Sequence, residues 1–394
     1  MSRYKIKVVN NIAPEGLALF GPDYAVSVDE PQPDAILVRS SPVDTDQYPS
    51  LLAVSRAGAG VNNITVASAT EKGICVFNTP GANANAVAEL VFVMIGISAR
   101  NINLALDFCR GLTGLNDAEV ADKIETQKAA FRGFELAGKT LGVLGLGKIG
   151  VRVANGGIMR QMTVTGFDPF PALENIHQLS PEVSIARNWR EVIEKANILT
   201  LHMPYTDKLR GFINADVLRR LPNGAILVNY SRGPLVDETP LFDALNSGRL
   251  AGYITDFPTA AMLRHPRIIA SPHLGASTEE SEEQCASMAV QELRSYLEYG
   301  TVVNSVNFPT VESIPSDEVH TRLIMINRDI PGMIGFASNI IGSNGINIAS
   351  YLNESNGLIG YNIIDVESPI PPDVITQIEN HPDVIRTRIM PCHS

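Results

Sequence analysis

Short runs of β-branched, apolar residues alternate with longer amphipathic stretches along most of this 394-residue chain. In the first hundred residues the β runs fall at 5–9, 35–39, 52–56 and 75–78, with helix-compatible segments between them. Such alternation predicts a parallel sheet with crossover helices. Residues 85–100 read as one long helix whose apolar positions (Val87, Leu90, Val91, Met94, Ile95) run nearly all round, which predicts burial between domains. From 137 to about 272 the same rhythm repeats, with strands predicted at 140–144, 164–167, 198–202, 225–229, 252–255 and 268–270. Six strands of this kind are the inventory of a doubly wound dinucleotide fold. Residues 279–299 form an amphipathic helix that carries the chain back to the first domain.

The pattern changes after Asn307-Phe-Pro-Thr-Val, a proline-containing linker ending near Asp317. A strand at 322–327 precedes Pro331-Gly332, which opens a helix to about 345. Strands at 348–353 and 361–366 flank a turn at Asn356-Gly357, and a helix at 373–380 leads to a last strand at 384–390. The order β-α-β-β-α-β predicts a small ferredoxin-like α+β domain. The fold class is therefore α/β, with two doubly wound parallel-sheet domains and a C-terminal ferredoxin-like domain.

Composition narrows the function classes. The length calls for two or three domains. A net charge of −11 argues against nucleic acid or an anionic membrane surface as partner. The four cysteines (Cys75, Cys109, Cys285, Cys392) are scattered, without a C-x-x-C pair, and read as reduced thiols of a cytoplasmic protein. The N-terminus starts a strand and carries no apolar signal core. The longest apolar run, 86–99, contains Glu89 and is too short to span a bilayer.

The candidate chemistry starts at Gly145-Leu-Gly147-Lys148-Ile149-Gly150, a G-x-G-x-x-G that follows a predicted strand and opens a predicted helix. Gly145 permits a tight turn, Gly147 lets backbone approach a pyrophosphate, and Gly150 allows close helix–strand packing. The diphosphate then meets unpaired N–H groups at the positive end of the helix. The next strand ends in Asp168, about 20 residues on, where the fingerprint carries its ribose-binding acid. A carboxylate there repels a 2′-phosphate, and the following Pro169, Phe170 and Pro171 include no arginine, so the expected cofactor is NAD.

A dinucleotide site makes hydride transfer the expected chemistry, which requires a general acid/base and an anion clamp. Two side chains stand at strand ends. Arg232, in Asn229-Tyr-Ser-Arg-Gly-Pro-Leu-Val-Asp, suits bidentate capture of a carboxylate; the plainer alternative is a surface ion pair. His273, in Ser271-Pro-His-Leu-Gly-Ala-Ser-Thr, suits proton exchange with a carbonyl oxygen; the plainer alternative is a capping or core histidine. His202, followed by Met203 and Pro204, either lines the cofactor crevice or packs. His177, His265, His320, His381 and His393 read as surface or turn residues. No clustered acids or H-x-x-H point to a metal.

With these motifs together the chain resembles the D-isomer-specific 2-hydroxyacid dehydrogenase family. Within it the likeness is to the phosphoglycerate dehydrogenases that carry a C-terminal ACT domain. The resemblance implies a discontinuous, flavodoxin-like substrate domain (1–97 and 276–310), an NAD-binding domain (98–275) and an ACT-like regulatory domain (318–394). It implies oxidation of 3-phospho-D-glycerate to 3-phosphohydroxypyruvate, the entry to serine synthesis, with Arg232 as substrate clamp and His273 as acid/base. Gly145, Gly147, Lys148, Ile149, Gly150, Asp168, His202, Pro204 and Asp256 become the cofactor set, Asp256 positioning the nicotinamide carboxamide. Arg39, Ser40, Ala59, Gly60, Val61 and Asn85 become the substrate set, with Asn78 another polar position near the hinge. Lys128 and Arg132 are further cations available to a phosphate.

In the tail the resemblance implies an amino-acid effector such as L-serine near Asn327, Asp329 and Asn347. It also implies a homodimer or homotetramer. One departure stands out. The family pairs its catalytic histidine with a glutamate shortly after the Asp256 position, and here Thr259-Ala260-Ala261 occupy that stretch. No Asp or Glu occurs between Asp256 and Glu279. The rival readings are therefore another 2-hydroxyacid dehydrogenase, such as a glyoxylate or hydroxypyruvate reductase, and a catalytically weak protein that senses NAD or an amino acid.

Overall fold

The computed structural model describes residues 3–392, so His393 lies outside the described residues. The chain divides into two compact units, 1–83 with 279–394, and 84–278.

The first unit opens with strands β1 (Tyr4–Val9), β2 (Tyr24–Ser27), β3 (Ala35–Val38), β4 (Ala53–Arg56) and β5 (Cys75–Asn78). They form one parallel sheet in the order β2-β1-β3-β4-β5. All four residues of β3 are fully buried, as a central parallel strand covered on both faces requires. The pattern missed β2, a four-residue edge strand that leaves Val26 and Ser27 exposed and so has no apolar run. The helix Glu279–Tyr299 closes this unit, burying Cys285, Ala286, Ala289, Val290, Leu293 and Leu297 in the same core as Tyr4, Ile6 and Phe77.

The second unit holds β6 (Thr140–Leu144), β7 (Thr163–Phe167), β8 (Ser184–Ile185), β9 (Ile198–Leu201), β10 (Ala225–Asn229), β11 (Leu250–Thr255) and β12 (Ile268–Ala270). The sheet is parallel throughout, in the order β12-β11-β10-β9-β6-β7-β8. The order in which strands are added reverses between β6 and β9, which is the switch point of a doubly wound sheet. The helix Ala84–Ala99 belongs to this unit. Its buried Val87, Val91 and Ile95 share a core with Leu141, Val143 and Ile254, and a methyl on Gly156 would come 2.4 Å from the Phe92 ring. That packing sets the boundary at 83/84, where the sequence reading had 97/98. The helix is not buried all round, since Val93 is 55% exposed. Two helices that the pattern left unassigned, Ile102–Arg110 and Asp117–Gln127, follow it and bury none of their residues.

The C-terminal segment contributes β13 (Thr321–Arg328), β14 (Ile348–Ser355), β15 (Ile359–Val366) and β16 (Val384–Pro391). These pair antiparallel in the order β14-β15-β13-β16, a ferredoxin-like arrangement with helices Met333–Ser343 and Pro372–Glu379 against one face. The sequence reading set this segment apart behind a linker, but it is one body with the first sheet. Ile324, Ile326, Tyr361 and Ile363, on the sheet's other face, join the core of Tyr4, Tyr296 and Leu297. Arg388 Nη1 donates to Tyr296 O at 3.0 Å, and Tyr361 Oη donates to Gly300 O at 2.7 Å. Arg322, fully buried, forms a fork with Asp365 (2.7 and 2.8 Å) and donates to Tyr299 O and Ser313 O. The linker itself is stapled down, because buried Asn307 accepts from Val76 N and donates to Ile74 O. Among the described residues no single helix is long and apolar enough to cross a membrane.

Candidate active site

Six of the predicted site positions in the second unit lie at or just beyond carboxyl ends of its strands: Gly145 after β6, Asp168 after β7, His202 after β9, Arg232 after β10, Asp256 after β11 and His273 after β12. Doubly wound sheets bind ligands at this edge.

The glycine turn is built by steric necessity. Gly145 has φ +94, and a methyl on it would come 2.6 Å from the His202 backbone. A methyl on Gly150 would come 1.8 Å from Gly145 O. Gly147 differs, with open space where its side chain would point. It is the N-cap of the helix Lys148–Met159 and offers no side-chain acceptor to the first-turn amides. This cradle fits a pyrophosphate: a helix terminus without a capping side chain, and room for close approach. Asp168 braces the turn, accepting from Leu146 N and Phe170 N, both at 2.9 Å. A carboxylate accepts about four hydrogen bonds, so half of its capacity remains for ribose hydroxyls.

His202 stands under this turn. Its Nε2 lies 2.8 Å from Thr200 Oγ1, while its Nδ1 is closed to solvent and has no partner among the described residues. Burial pushes its pKa down to about 3, so the ring is neutral across the working range. Pro204 is exposed just beyond it, and Ser231 Oγ donates to Met203 O, tying the ends of β9 and β10.

Arg232 and His273 are both exposed. The Arg232 side chain makes one hydrogen bond, Nη1 to Ser231 O at 2.7 Å, and no ion pair among the described residues. Its turn is shaped by Asn229, fully buried, which donates to Arg232 O and accepts from Ser231 N. His273 has φ +55, a left-handed conformation that is uncommon outside glycine. Asp256, 2% exposed, accepts from Ser271 Oγ (2.6 Å), Leu274 N (2.9 Å) and Gly275 N (2.9 Å), and so pins the loop on both sides of His273. Ser271 Oγ lies 3.0 Å from Tyr230 Oη, whose pKa burial pushes up to about 12.

No hydrogen bond or ion pair reaches the His273 imidazole among the described residues. Its neighbour is Phe257, edge-on at 4.9 Å between centroids and 61° between planes. Where the family glutamate is absent, Ala260 and Ala261 are exposed. Thr259 donates to Glu238 Oε2 at 3.2 Å. Sequence reasoning did not assign roles to Asn229, Ser271 or Phe257. The signal for Asn229 and Ser271 was present, as polar residues beside fully apolar strands.

In the first unit, Arg39, Ser40 and the 59–61 loop also follow strand ends. Arg39 Nη1 pairs with Glu282 Oε2 at 2.6 Å. Asn10, with φ +79, accepts from Ser40 N (3.1 Å) and Ser41 N (2.9 Å), so the Ser40 amide is already spent. The 59–61 loop is held from below: Arg56 donates to Arg39 O and Gly60 O, and Asn78 donates to Ala59 O. Its own amides have no acceptor among the described residues, which suits an oxyanion. Asn85 belongs to the second unit and donates to Glu89 one helical turn on. Lys128 pairs with Glu125.

The three effector positions do not gather within one chain. Asn327 is 2% exposed and spends its amide on Arg328 O and Asn362. Asp329 accepts from Ser355 Oγ near the same end of the sheet. Asn347 precedes Ile348, which pairs with Val366 at the far end, and donates to Glu367.

Comparison with known proteins agrees with this geometry. Residues 102–275 match the family described as D-isomer specific 2-hydroxyacid dehydrogenase, NAD binding domain. D-3-phosphoglycerate dehydrogenase of Bacillus subtilis (strain 168) is 35% identical over 288 residues, covering 71% of this chain and 52% of the relative. The chain thus spans about half the length of that relative. D-3-phosphoglycerate dehydrogenase of Haemophilus influenzae is 30% identical over 353 residues, covering 87% of this chain and 82% of the relative. The crystal structure of cofactor (NAD+) bound 3-phosphoglycerate dehydrogenase in Entamoeba histolytica superposes with a TM-score of 0.61 at 26% identity, over 78% of this chain and 99% of that one.

Proposed function

Since the chain belongs to the D-isomer specific 2-hydroxyacid dehydrogenase family, we propose that it oxidises 3-phospho-D-glycerate to 3-phosphohydroxypyruvate with NAD. One observation carries the catalytic part of this reading. Arg232 and His273 follow β10 and β12, on either side of β11, and Phe257 beyond β11 stands edge-on to the His273 ring and near the Arg232 turn. The substrate part draws on relatives named for phosphoglycerate.

When bound, NAD supplies the hydride acceptor. Gly147 and the first amides of its helix hold the diphosphate, with Lys148 and Ile149 in that first turn. Asp168 takes the ribose hydroxyls. Asp256 keeps one acceptor site free of its three internal bonds, enough for a carboxamide N–H. His202 and Pro204 wall the crevice. Arg232 grips the substrate carboxylate through donors that have no internal acceptor, and its charge stabilises the oxygen at C2 as it becomes a carbonyl. His273 takes the hydroxyl proton as the C2–H bond breaks, and returns it in the reverse direction. In the first unit, Arg39 and the amides of Ala59, Gly60 and Val61 form an anion-holding set of their own. Glu282 must release Arg39 for that.

The reading includes a cytoplasmic homo-oligomer. Its support is the helical pair after residue 101, which buries nothing yet presents Ile102, Leu104, Leu106 and Ile124. Sedimentation of the purified protein as a monomer would remove this part.

Purified protein given NAD and 3-phospho-D-glycerate should produce NADH absorbance, and Arg232→Ala should abolish it. Absent turnover with tight NADH binding retained would defeat the enzyme reading. Faster reduction of glyoxylate or hydroxypyruvate than of 3-phosphohydroxypyruvate would move the substrate elsewhere in the family.

A further inference from the structure

His273 presents a physical problem that the proposed chemistry does not solve by itself. A general base must hold its nitrogen within hydrogen-bond reach of one proton, in a narrow range of orientation. An exposed imidazole without a partner rotates freely about two side-chain torsions. Here the ring meets no carboxylate, carbonyl or hydroxyl among the described residues. The backbone beneath it is strained as well, since a left-handed φ of +55 at a residue with a Cβ costs about 1–2 kcal/mol.

We propose that Phe257 is the positioning residue for His273: an aromatic edge fixes the imidazole plane where the family uses a carboxylate. This rests on His273 being the acid/base of the proposed reaction. The contact, 4.9 Å and 61°, lies in the favoured edge-to-face range for aromatic pairs. Phe257 is itself held. Its N–H donates to Thr255 Oγ1 at 3.1 Å, and two residues on Thr259 is bonded to Glu238. On its other side lies the Arg232 turn, where a methyl on Gly233 would stand 3.2 Å from Phe257 Cβ. Phe257 therefore meets the imidazole with its ring while its Cβ stands close to the Arg232 turn. Asp256 fixes where the backbone of the His273 loop runs, and Phe257 fixes how the ring stands on it. Such a contact constrains the ring plane and leaves both imidazole nitrogens open, one to face substrate and one to face water. A carboxylate partner would occupy one of them.

Two readouts test this. The first needs no turnover. In histidine-labelled protein, the His273 ring-proton resonance, assigned by its loss in His273→Gln, should shift in Phe257→Leu toward the position of a free histidine. The second is kinetic. Phe257→Leu should lower kcat roughly tenfold or more while leaving KM nearly unchanged, because binding through Arg232 survives and only the aim of the base is lost. Phe257→Tyr, which keeps the edge contact, should restore kcat close to wild type. An unmoved resonance in Phe257→Leu, or an unchanged kcat, overturns the proposal. So does equal damage from Leu and Tyr, which would mean that any change at 257 merely disturbs the loop. Wild-type protein that oxidises no 2-hydroxy acid defeats the activity reading instead, and the resonance then decides alone whether Phe257 holds the ring.

Discussion

Two turns at the same edge of the second unit's sheet are fixed by opposite means. The turn after β6 is shaped by missing atoms: Gly145 takes φ +94, and Gly150 sits where a methyl would overlap a carbonyl oxygen. The turn after β12 is shaped by added ones. A buried carboxylate gathers three donors, an aromatic ring stands against the imidazole, and a residue with a full side chain is held at φ +55. On the proposed function, the contrast follows from what each turn must present. A diphosphate is held by bare amides, so side chains are obstacles. An acid/base must be aimed, so side chains are the scaffold.

The comparison breaks first at Gly150. A Cβ 1.8 Å from Gly145 O meets backbone, which has no rotamer to yield, so Gly150→Ala should cost at least about 3 kcal/mol and abolish NADH binding. A urea midpoint near wild type would show that the turn relaxes cheaply and that steric exclusion does not define it. Asp256→Ala should come next. It removes the acceptor of two amides, the Gly275 one buried, and leaves the Ser271 hydroxyl with Tyr230 alone, for about 2 kcal/mol, and frees the His273 loop. Turnover should vanish while Asp168-dependent affinity for adenine nucleotides persists. Retained turnover would place the loop's restraint elsewhere.

The two turns were also unequally legible in the sequence. The glycine turn announces itself because each position is a residue type that nothing else replaces, at fixed spacing between a β run and a helix. The strands around it were predicted within about two residues for the same reason: fully buried parallel strands are unbroken apolar runs. Arg232 and His273 were visible as strand-end residues, yet their supports were not. Phe257 reads as one more apolar residue, and its contact with His273 depends on how two loops fold over β11. Long-range packing also hid the fusion of the C-terminal sheet to the first unit. A proline-containing linker looks like a hinge until Asn307, Phe308 and Val311 are seen buried. The edge strands β2 and β8 share one reason for being missed, since each is short and buries too little to leave a pattern.

A subtler probe asks how the glycine turn is backed. His202 ionises at 6.5 when free and near 3 in the fold, because burial disfavours the charged ring. The unfolded chain therefore binds a proton in this window that the native ring refuses, and stability falls as pH drops from about 6.5 towards 3. The slope from this one group is on the order of 1.4 kcal/mol per pH unit. Above pH 6.5 it contributes no pH dependence. His202→Gln should flatten the acid limb of a stability–pH curve by that slope, measured by urea unfolding. An identical acid limb in both proteins would mean that the ring is reached by water.

The smallest expected effect on folding sharpens the contrast most. Gly147 has open space where Gly150 has none, so Gly147→Ala meets nothing. The position is an N-cap with φ −75, a conformation that alanine adopts, so stability should fall by no more than about 1 kcal/mol, far less than at Gly150. The methyl would nonetheless stand in the gap through which a diphosphate approaches the first amides of the helix. NADH affinity should therefore fall at least about tenfold, or about 1.4 kcal/mol, in a protein nearly as stable as wild type. Isothermal titration beside a urea curve reads both quantities from one preparation. Loss of both would mean that Gly147, like Gly150, is demanded by the fold. Loss of neither would mean that the open space holds no phosphate, and the cofactor would have to approach the sheet edge by another route.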